Sequence, residues 1–444
     1  MCTSKKFAFF VFNAILWIIY KKGRYKNMKV IGIIAEYNPF HKGHEYQIKR
    51  LREMTGADYV IIAMSGNFLQ RGAPALCDKY TRTEMALHCG ADLVLELPVL
   101  WATASAEYFA QGGVQLLAST GVVTHLGFGA ESEDLKGLLQ VSSILKNEPD
   151  VYRAVLGNSI RSGNPFPVAR KNALITSLPM FSSEKLEEIL DSPNNILALE
   201  YLKALPKQIT PILIPRKGAD YHSTDIHETF PSATAIRETL FGAEDTVAMS
   251  LIENAMPADA YAILQNFLTE YQCMDIDDFS SMLGYRLLSL SETEYSTFAD
   301  CSKDFSNKVK NHLNDYVTFS DFIQQLKSKD MTYTRISRSL LHILLNITQA
   351  HYQIGQAMGY TPYLRVLGFK KESSELLSAI KANSTAPMIT KVADASAILG
   401  YEPYKMFQMD LFASALYCQC LAQKSGKKEK PLNDFTHPMV ILSS

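Results

Sequence analysis

The sequence predicts an α/β protein: a doubly wound parallel-sheet domain followed by a mainly α-helical half. Three features carry the prediction. From Met28 onward, short apolar runs alternate with stretches of helical period, as strands joined by crossover helices require. The polar motifs fall just after apolar runs, at the strand ends where such sheets bind ligands. From about residue 244 the helical period dominates, as in residues 335–347 and 411–421.

Residues 30–35 read as the first strand and 43–54 as the helix after it, with Tyr46, Ile48, Leu51 and Met54 near one another on its inner side. Residues 59–64 (YVIIAM) form a second strand, 81–90 a second helix and 92–97 (DLVLEL) a third strand. A helix over 102–118 and a strand over 122–128 follow. After Gly129 comes a mostly helical insert, about 131–206, with a turn-rich Ser162-Gly163-Asn164-Pro165. The sheet resumes at 209–215 (ITPILIP), and 232–240 starts another helix. A chain of 444 residues divides into more than one domain, and the expected division is 28–243 and 244–444.

Residues 1–27 stand apart. The apolar run from Phe7 to Tyr20 lies between Lys5-Lys6 and Lys21-Lys22, and its fourteen residues are fewer than the ~20 a bilayer span needs. No small-residue cleavage site follows. Met28 opens directly into a strand pattern, so 1–27 is read as a non-native extension, with a membrane anchor as the alternative. No stable membrane partner is expected. Seven cysteines without a CxxC pair read as reduced thiols of a cytoplasmic protein.

The net charge of −1 conceals an asymmetry. Residues 301–444 hold 17 Lys and Arg against 11 Asp and Glu, whereas 28–300 hold 21 against 34. An acidic catalytic half and a basic helical half suit an enzyme that grips a polyanion; an unevenly charged solvated surface is the alternative.

The segment Ile34-Ala35-Glu36-Tyr37-Asn38-Pro39-Phe40-His41-Lys42-Gly43-His44-Glu45-Tyr46-Gln47 joins the first strand to its helix. Its HxGH core places His41 and His44 where they can flank a polyphosphate and stabilise charge developing at the α-phosphorus as pyrophosphate leaves. Gly43 would let backbone approach the ligand, and the helix start would offer free N–H groups to phosphates. Further on, Ser232-Ala233-Thr234-Ala235-Ile236-Arg237 opens a helix with two hydroxyls and places an arginine a turn later. Ser232, Thr234 and Arg237 fit a phosphate site; an ordinary N-cap and a solvated arginine are the alternative.

Ser65, Asn67, Gln70 and Arg71 follow the second strand and should face the cleft, as candidates for the acid substrate or its acceptor, or as a capped turn. Lys79 and Arg82 could support phosphates or lie on a solvated face. Gly129 could lie against a base or ribose, or simply turn the chain. No histidine outside HxGH shows metal-ligand spacing, so no protein-built metal site is expected, and Mg2+ should arrive bound to ATP.

The runs IIAEYNPFHKGH, MSGNFLQRG, GADLVLELP, PNNILALEYL and SATAIR, in this order, resemble the bacterial tRNA(Met) cytidine acetate ligase family, from Met28 to near the C-terminus. That family is similar in its catalytic domain to HxGH nucleotidyltransferases. The resemblance implies that ATP and acetate form acetyl-adenylate, and that the wobble cytidine of elongator tRNA(Met) then takes the acetyl group on N4. It also implies ATP contacts from residues 34–47, Gly129, Asn194, Arg216 and Lys217. Read alone, Asn194 and Asn195 are helix-cap residues, and Arg216 and Lys217 suit either phosphate or plain surface.

In the basic half, Tyr333, Arg335, Arg338, Arg365, Lys370 and Lys371 combine aromatic and cationic groups suited to RNA phosphates and unpaired bases, although a helical aromatic is often core. Two other readings fit the same motifs: an adenylyltransferase acting on a small phosphorylated metabolite, and a nucleotide-binding protein without turnover.

Overall fold

A computed structural model describes residues 28–216, 232–242, 246–291, 294–328, 331–428 and 430–443. The reading of residues 1–27 and the site candidate Lys217 lie outside the described residues.

Strands β1 (Val30–Ala35), β2 (Tyr59–Ser65), β3 (Leu93–Leu97), β4 (His125–Ala130) and β5 (Thr210–Pro215) form the parallel part of one sheet, in the order β5-β4-β1-β2-β3. The first strand is central, and the chain reverses direction across the sheet between β1 and β4, which opens a crevice beyond their carboxyl ends. Apolar side chains on both faces of β2 and β3 are buried, which is why these runs read as continuous rather than alternating.

Glycine sets how closely helices press on the central strands. A Cβ at Gly127 of β4 would strike Leu51 of helix α1 (Lys42–Thr55). On the other face, a Cβ at Gly32 of β1 would lie 2.7 Å from Leu117 in the helix that covers it. That helix, α3 (Ala106–Ser119), and α1 therefore sandwich the sheet. Ile48 and Leu51 are the buried residues of α1, whereas Met54, in its last turn, is 52% exposed and does not join the inner stripe.

Helix α2 (Lys79–His88) starts two residues earlier than the sequence predicts, because Asp78 caps it by accepting from Tyr80 and Thr81 N–H. The predicted helix at 102–118 is split, a short turn at Val99–Ala102 preceding α3, and β4 begins at His125 rather than at 122. The insert is helical, as predicted, and ends in α4 (Pro193–Ala204); after β5 come α5 (Ala233–Gly242), α6 (Tyr333–Leu344) and α7 (Tyr401–Lys424) among other helices.

The later half is mainly helical, yet it completes the sheet. Strand β6 (Leu364–Lys370) pairs antiparallel with β3, and β7 (Met388–Ile389) and β8 (Val440–Leu442) both pair with β6, at its two ends. Register sets Glu96 opposite Arg365. Arg365 lies 2.8 Å from Glu96 and 3.1 Å from Asp434, while Lys79 lies 2.9 Å and 3.0 Å from the same two carboxylates. All four side chains are buried, and the Tyr80 hydroxyl donates to Asp434 at 2.8 Å. Burial alone would raise Asp434, but Lys79 and Arg365 outweigh it and hold the carboxyl well below the usual range.

This seam corrects two expectations. Lys79 neither reaches phosphates nor lies on a solvated face, and Arg365 is not an RNA-facing residue, because both cations are consumed in joining β3 to β6.

Candidate active site

The two histidines of HxGH are the capping residues of α1. His41 Nδ1 accepts the Gly43 N–H at 3.1 Å, and His44 Nδ1 accepts the His41 N–H at 3.2 Å, a reciprocal box in which imidazoles replace the usual hydroxyl and carboxylate. Because each Nδ1 accepts, each neutral ring carries its hydrogen on Nε2. The rings stack with centroids 3.7 Å apart. Tyr37 meets the His44 ring edge-on at 4.7 Å, and Phe40 lies behind it at 5.4 Å.

Burial, then the nearby Arg216 and Arg237, lower the His41 pKa to about 3. Burial, His41 and Arg216 depress His44 in the same direction. Both rings are therefore neutral donors near pH 7. The N–H groups of Gly43, His44 and Glu45 are already engaged by His41, so α1 does not offer them bare; its positive end is relayed outward through the imidazoles. Gly43 is required for a different reason from the one expected: a Cβ there would sit 2.9 Å from His41 Cε1, so the ring folds over the missing side chain.

The histidines open into a cavity of about 450 Å³ at the carboxyl ends of β1, β4 and β5. Of the predicted nucleotide contacts, Ile34, Ala35, Glu36, Tyr37, Asn38, His41, Gly43, His44, Tyr46, Gln47, Gly129, Asn194, Arg216, Ser232, Thr234 and Arg237 line it. Four do not. Pro39 and Phe40 are buried behind the histidines, Lys42 reaches out to the Asn254 carbonyl at 2.5 Å, and Glu45 pairs with Lys49 on the surface.

Around the rim, Ser232 accepts the Ala235 N–H at 3.0 Å and so caps α5, while Arg237 donates to the Asn38 carbonyl at 2.7 Å and to Thr234 at 3.1 Å. The start of α4 is occupied by protein: Glu131 accepts from the Asn194 side chain at 2.6 Å and from the Asn195 N–H at 2.9 Å. Asn195 is buried and accepts the Ser132 N–H, leaving Asn194 as the member that faces the cavity. A Cβ at Gly129 would fall 3.6 Å from Arg216 and 3.9 Å from Gln47, in ordinary contact with both.

The loop after β2 divides. Gln70 and Arg71 line the cavity, and Gln70 N–H donates to Glu36 at 2.9 Å. Ser65 and Asn67 do not face it: both are buried, and Asn67 accepts the Lys79 N–H at 2.8 Å instead. Arg82 is likewise buried, donating to the carbonyls of Cys77, Glu36, Ser65 and Gly66, so it shapes the loop rather than touching phosphate.

A further wall comes from the later half, through Met274, Asp275, Ile276, Tyr333, Thr334 and Ser337. Only Tyr333 among these is a sequence candidate. Nothing local marks the others; Asp275, for one, caps the short 3-10 turn Ile276–Phe279. Of the remaining RNA candidates, Arg335 and Lys371 are exposed, Lys370 is half-buried, and Arg338 pairs with Asp300 at 3.2 Å. Among the described residues, the cysteines form no disulfide, no group of three His, Cys, Asp or Glu side chains could hold a metal ion, and no helix is long and apolar enough to cross a membrane.

Comparison with known proteins shows the family. Residues 28–432 match the family described as HIGH Nucleotidyl Transferase. A tRNA(Met) cytidine acetate ligase of Thermoanaerobacter sp. is 40% identical over 94% of this chain and all of its own length, and one of Acetivibrio thermocellus is 34% identical with the same coverage. The crystal structure of apo Thermotoga maritima TmcAL superposes with a TM-score of 0.86 at 30% identity, and that bound with alpha-thio ATP with 0.85 at 29%, each covering 94% of this chain and all of that one. By sequence over nearly its whole described length and by fold, the chain belongs to the tRNA(Met) cytidine acetate ligase family of HIGH nucleotidyl transferases.

Proposed function

We propose that the protein activates acetate with ATP, releasing pyrophosphate, and transfers the acetyl group from acetyl-adenylate to N4 of the wobble cytidine of elongator tRNA(Met). The observation that carries this reading is that His41 and His44, each accepting a backbone N–H at Nδ1 and so carrying its hydrogen on Nε2, line a cavity also lined by Arg216 and Arg237. In that setting His41 and His44 hydrogen-bond the polyphosphate as its charge shifts toward the leaving pyrophosphate, and the two guanidiniums hold the phosphates in place. Gly129 and Asn194 border the nucleoside. Gln70 and Arg71, on the loop tied to Glu36, receive acetate.

Mg2+ enters with the triphosphate, which supplies most of its ligands and shares its charge with the ion. Tyr333 faces the incoming RNA from the later half, with Arg335, Lys370 and Lys371 on the outer surface for phosphates. The protein works in the cytoplasm, where ATP and tRNA meet.

The test is incubation of the chain from Met28 with ATP, Mg2+, labelled acetate and unmodified elongator tRNA(Met). Label confined to the anticodon cytidine is the expected result. No label in RNA, with adenylylation of a phosphorylated metabolite instead, would overturn the proposal in favour of a small-molecule adenylyltransferase.

A further inference from the structure

Transfer to a cytosine amine requires more than hydrogen-bond donors. The N4 amine must lose a proton as it is acylated, and the histidines offer no lone pair for it, since each Nδ1 already accepts a backbone N–H. Among the described residues, the carboxylates lining the cavity are Glu36 and Asp275. Glu36 is built into the floor: its side chain accepts the Gln70 N–H at 2.9 Å and its carbonyl accepts from Arg82 at 2.6 Å.

Asp275 stands on the wall supplied by the later half. Its side chain caps the 3-10 turn Ile276–Phe279: Oδ1 accepts the Asp277 N–H at 3.1 Å and the carboxylate also takes the Asp278 N–H in a reciprocal capping box, which leaves lone pairs on its two oxygens for one more donor. Tyr333, half-buried, lines the same cavity. This wall is held in register with the catalytic domain. Met274 N–H donates to the Leu76 carbonyl at 2.9 Å, Ser337 Oγ donates to the Gly72 carbonyl at 2.8 Å, and Gly72, at φ +80°, leaves no room for a Cβ against the backbone of Arg338. A carboxylate is the natural acceptor for the cytosine amine, and an aromatic ring the natural platform for an unpaired base.

We propose that Asp275 receives the N4 amine of the acceptor cytosine and takes its proton during acetyl transfer; this rests on the ligase reading above. N4 bonds to the acetyl carbon, the bond from that carbon to the phosphate oxygen breaks, and its electron pair leaves with AMP. The N4 proton passes to the Asp275 carboxylate and from there to water.

The experiment compares acetate-dependent pyrophosphate exchange with single-turnover transfer from preformed acetyl-adenylate to tRNA, in the full chain and in Asp275→Asn, Asp275→Glu and Glu36→Gln. Asn keeps an oxygen for the Asp277 N–H, so the local cap survives. The expected result is a fall on the order of 100-fold in the ratio of transfer to exchange for Asp275→Asn, the scale of a lost general base. Partial recovery is expected in Asp275→Glu, with no such fall in Glu36→Gln. A ratio unchanged in Asp275→Asn, a parallel loss of both steps, or a selective loss in Glu36→Gln would each overturn the assignment. A wild-type chain that exchanges pyrophosphate but never acetylates RNA would instead sink the ligase reading, and this proposal with it.

Discussion

His41 and His44 stack with ring centroids 3.7 Å apart while each uses Nδ1 to accept a backbone N–H, so the residues that cap α1 are also those that present Nε2–H groups to the cavity. His41→Ala and His44→Ala should each reduce acetate-dependent pyrophosphate exchange by about 100-fold or more, the scale of losing a preorganised donor. Losing the cap should destabilise the fold by only about 1 kcal/mol. Exchange kinetics beside a thermal melt check both; near-normal exchange in both variants would refute the site.

Stability should depend on pH through His41. Its pKa is about 3 in the folded chain against 6.5 as the ordinary value, because burial and two arginines oppose its charge. The contribution is therefore intact above pH 6.5 and is lost as pH falls, because the unfolded chain takes up a proton that the native one refuses. The loss reaches about 2 kcal/mol by pH 5 for this one group. Urea unfolding at pH 7.5 and pH 5 should show a correspondingly smaller loss in His41→Asn.

Gly43→Ala should separate helix stability from catalysis. Alanine favours the helix by up to about 1 kcal/mol, yet its Cβ would meet His41 Cε1 at 2.9 Å and push the ring aside. The expected outcome is an unchanged or higher Tm with pyrophosphate exchange lowered by about tenfold or more, on the scale of a displaced donor. Unimpaired exchange would mean that the ring need not hold this position.

Two arginines that look alike in the sequence should behave differently. Arg365→Ala leaves Glu96 and Asp434 with one cation fewer in a buried seam and should cost about 3–5 kcal/mol in unfolding experiments. Arg335→Ala, at an exposed position, should leave the melt unchanged and weaken tRNA binding, with a salt dependence shallower by about one phosphate contact. A shallower salt slope from Arg365→Ala without loss of stability would contradict its placement.

The strands β1 to β5 and the placing of His41 and His44 at a helix start beside the cleft were legible because the signals are local, apolar runs of strand length and two imidazoles spaced three apart; that the same rings cap the helix, and so occupy N–H groups expected to be free, was not. What escaped the sequence depends on long-range pairing. LRVLGFKK looks like a basic surface patch, and only the pairing of β6 with β3 turns Arg365 inward. Lys79 and Arg82 read as phosphate-supporting or solvated, and it is distant partners that bury them, Glu96 and Asp434 for Lys79 and the Glu36, Ser65 and Gly66 carbonyls for Arg82. Asp275 and Ser337 join the cavity because their segments bond to the Leu76 and Gly72 carbonyls, contacts that neither segment encodes by itself. Gln70 and Arg71 were readable because a short loop at a strand end can only face the cleft or turn away from it.

The seam between Lys79 and Asp434 spans 355 residues of chain. At roughly 5–20 residues per second of synthesis, Lys79 emerges about 20–70 seconds before Asp434 exists. Until residues 364–370 are made, the β3 edge has no β6 beside it, and until Asp434 follows, a lysine meant for the interior has only Glu96. The nucleotide-binding motif is thus among the first parts made, and the residues that close its sheet are among the last. For most of its synthesis the nascent chain therefore carries an open β3 edge, and the sheet is completed only when β6 and then β8 have been made.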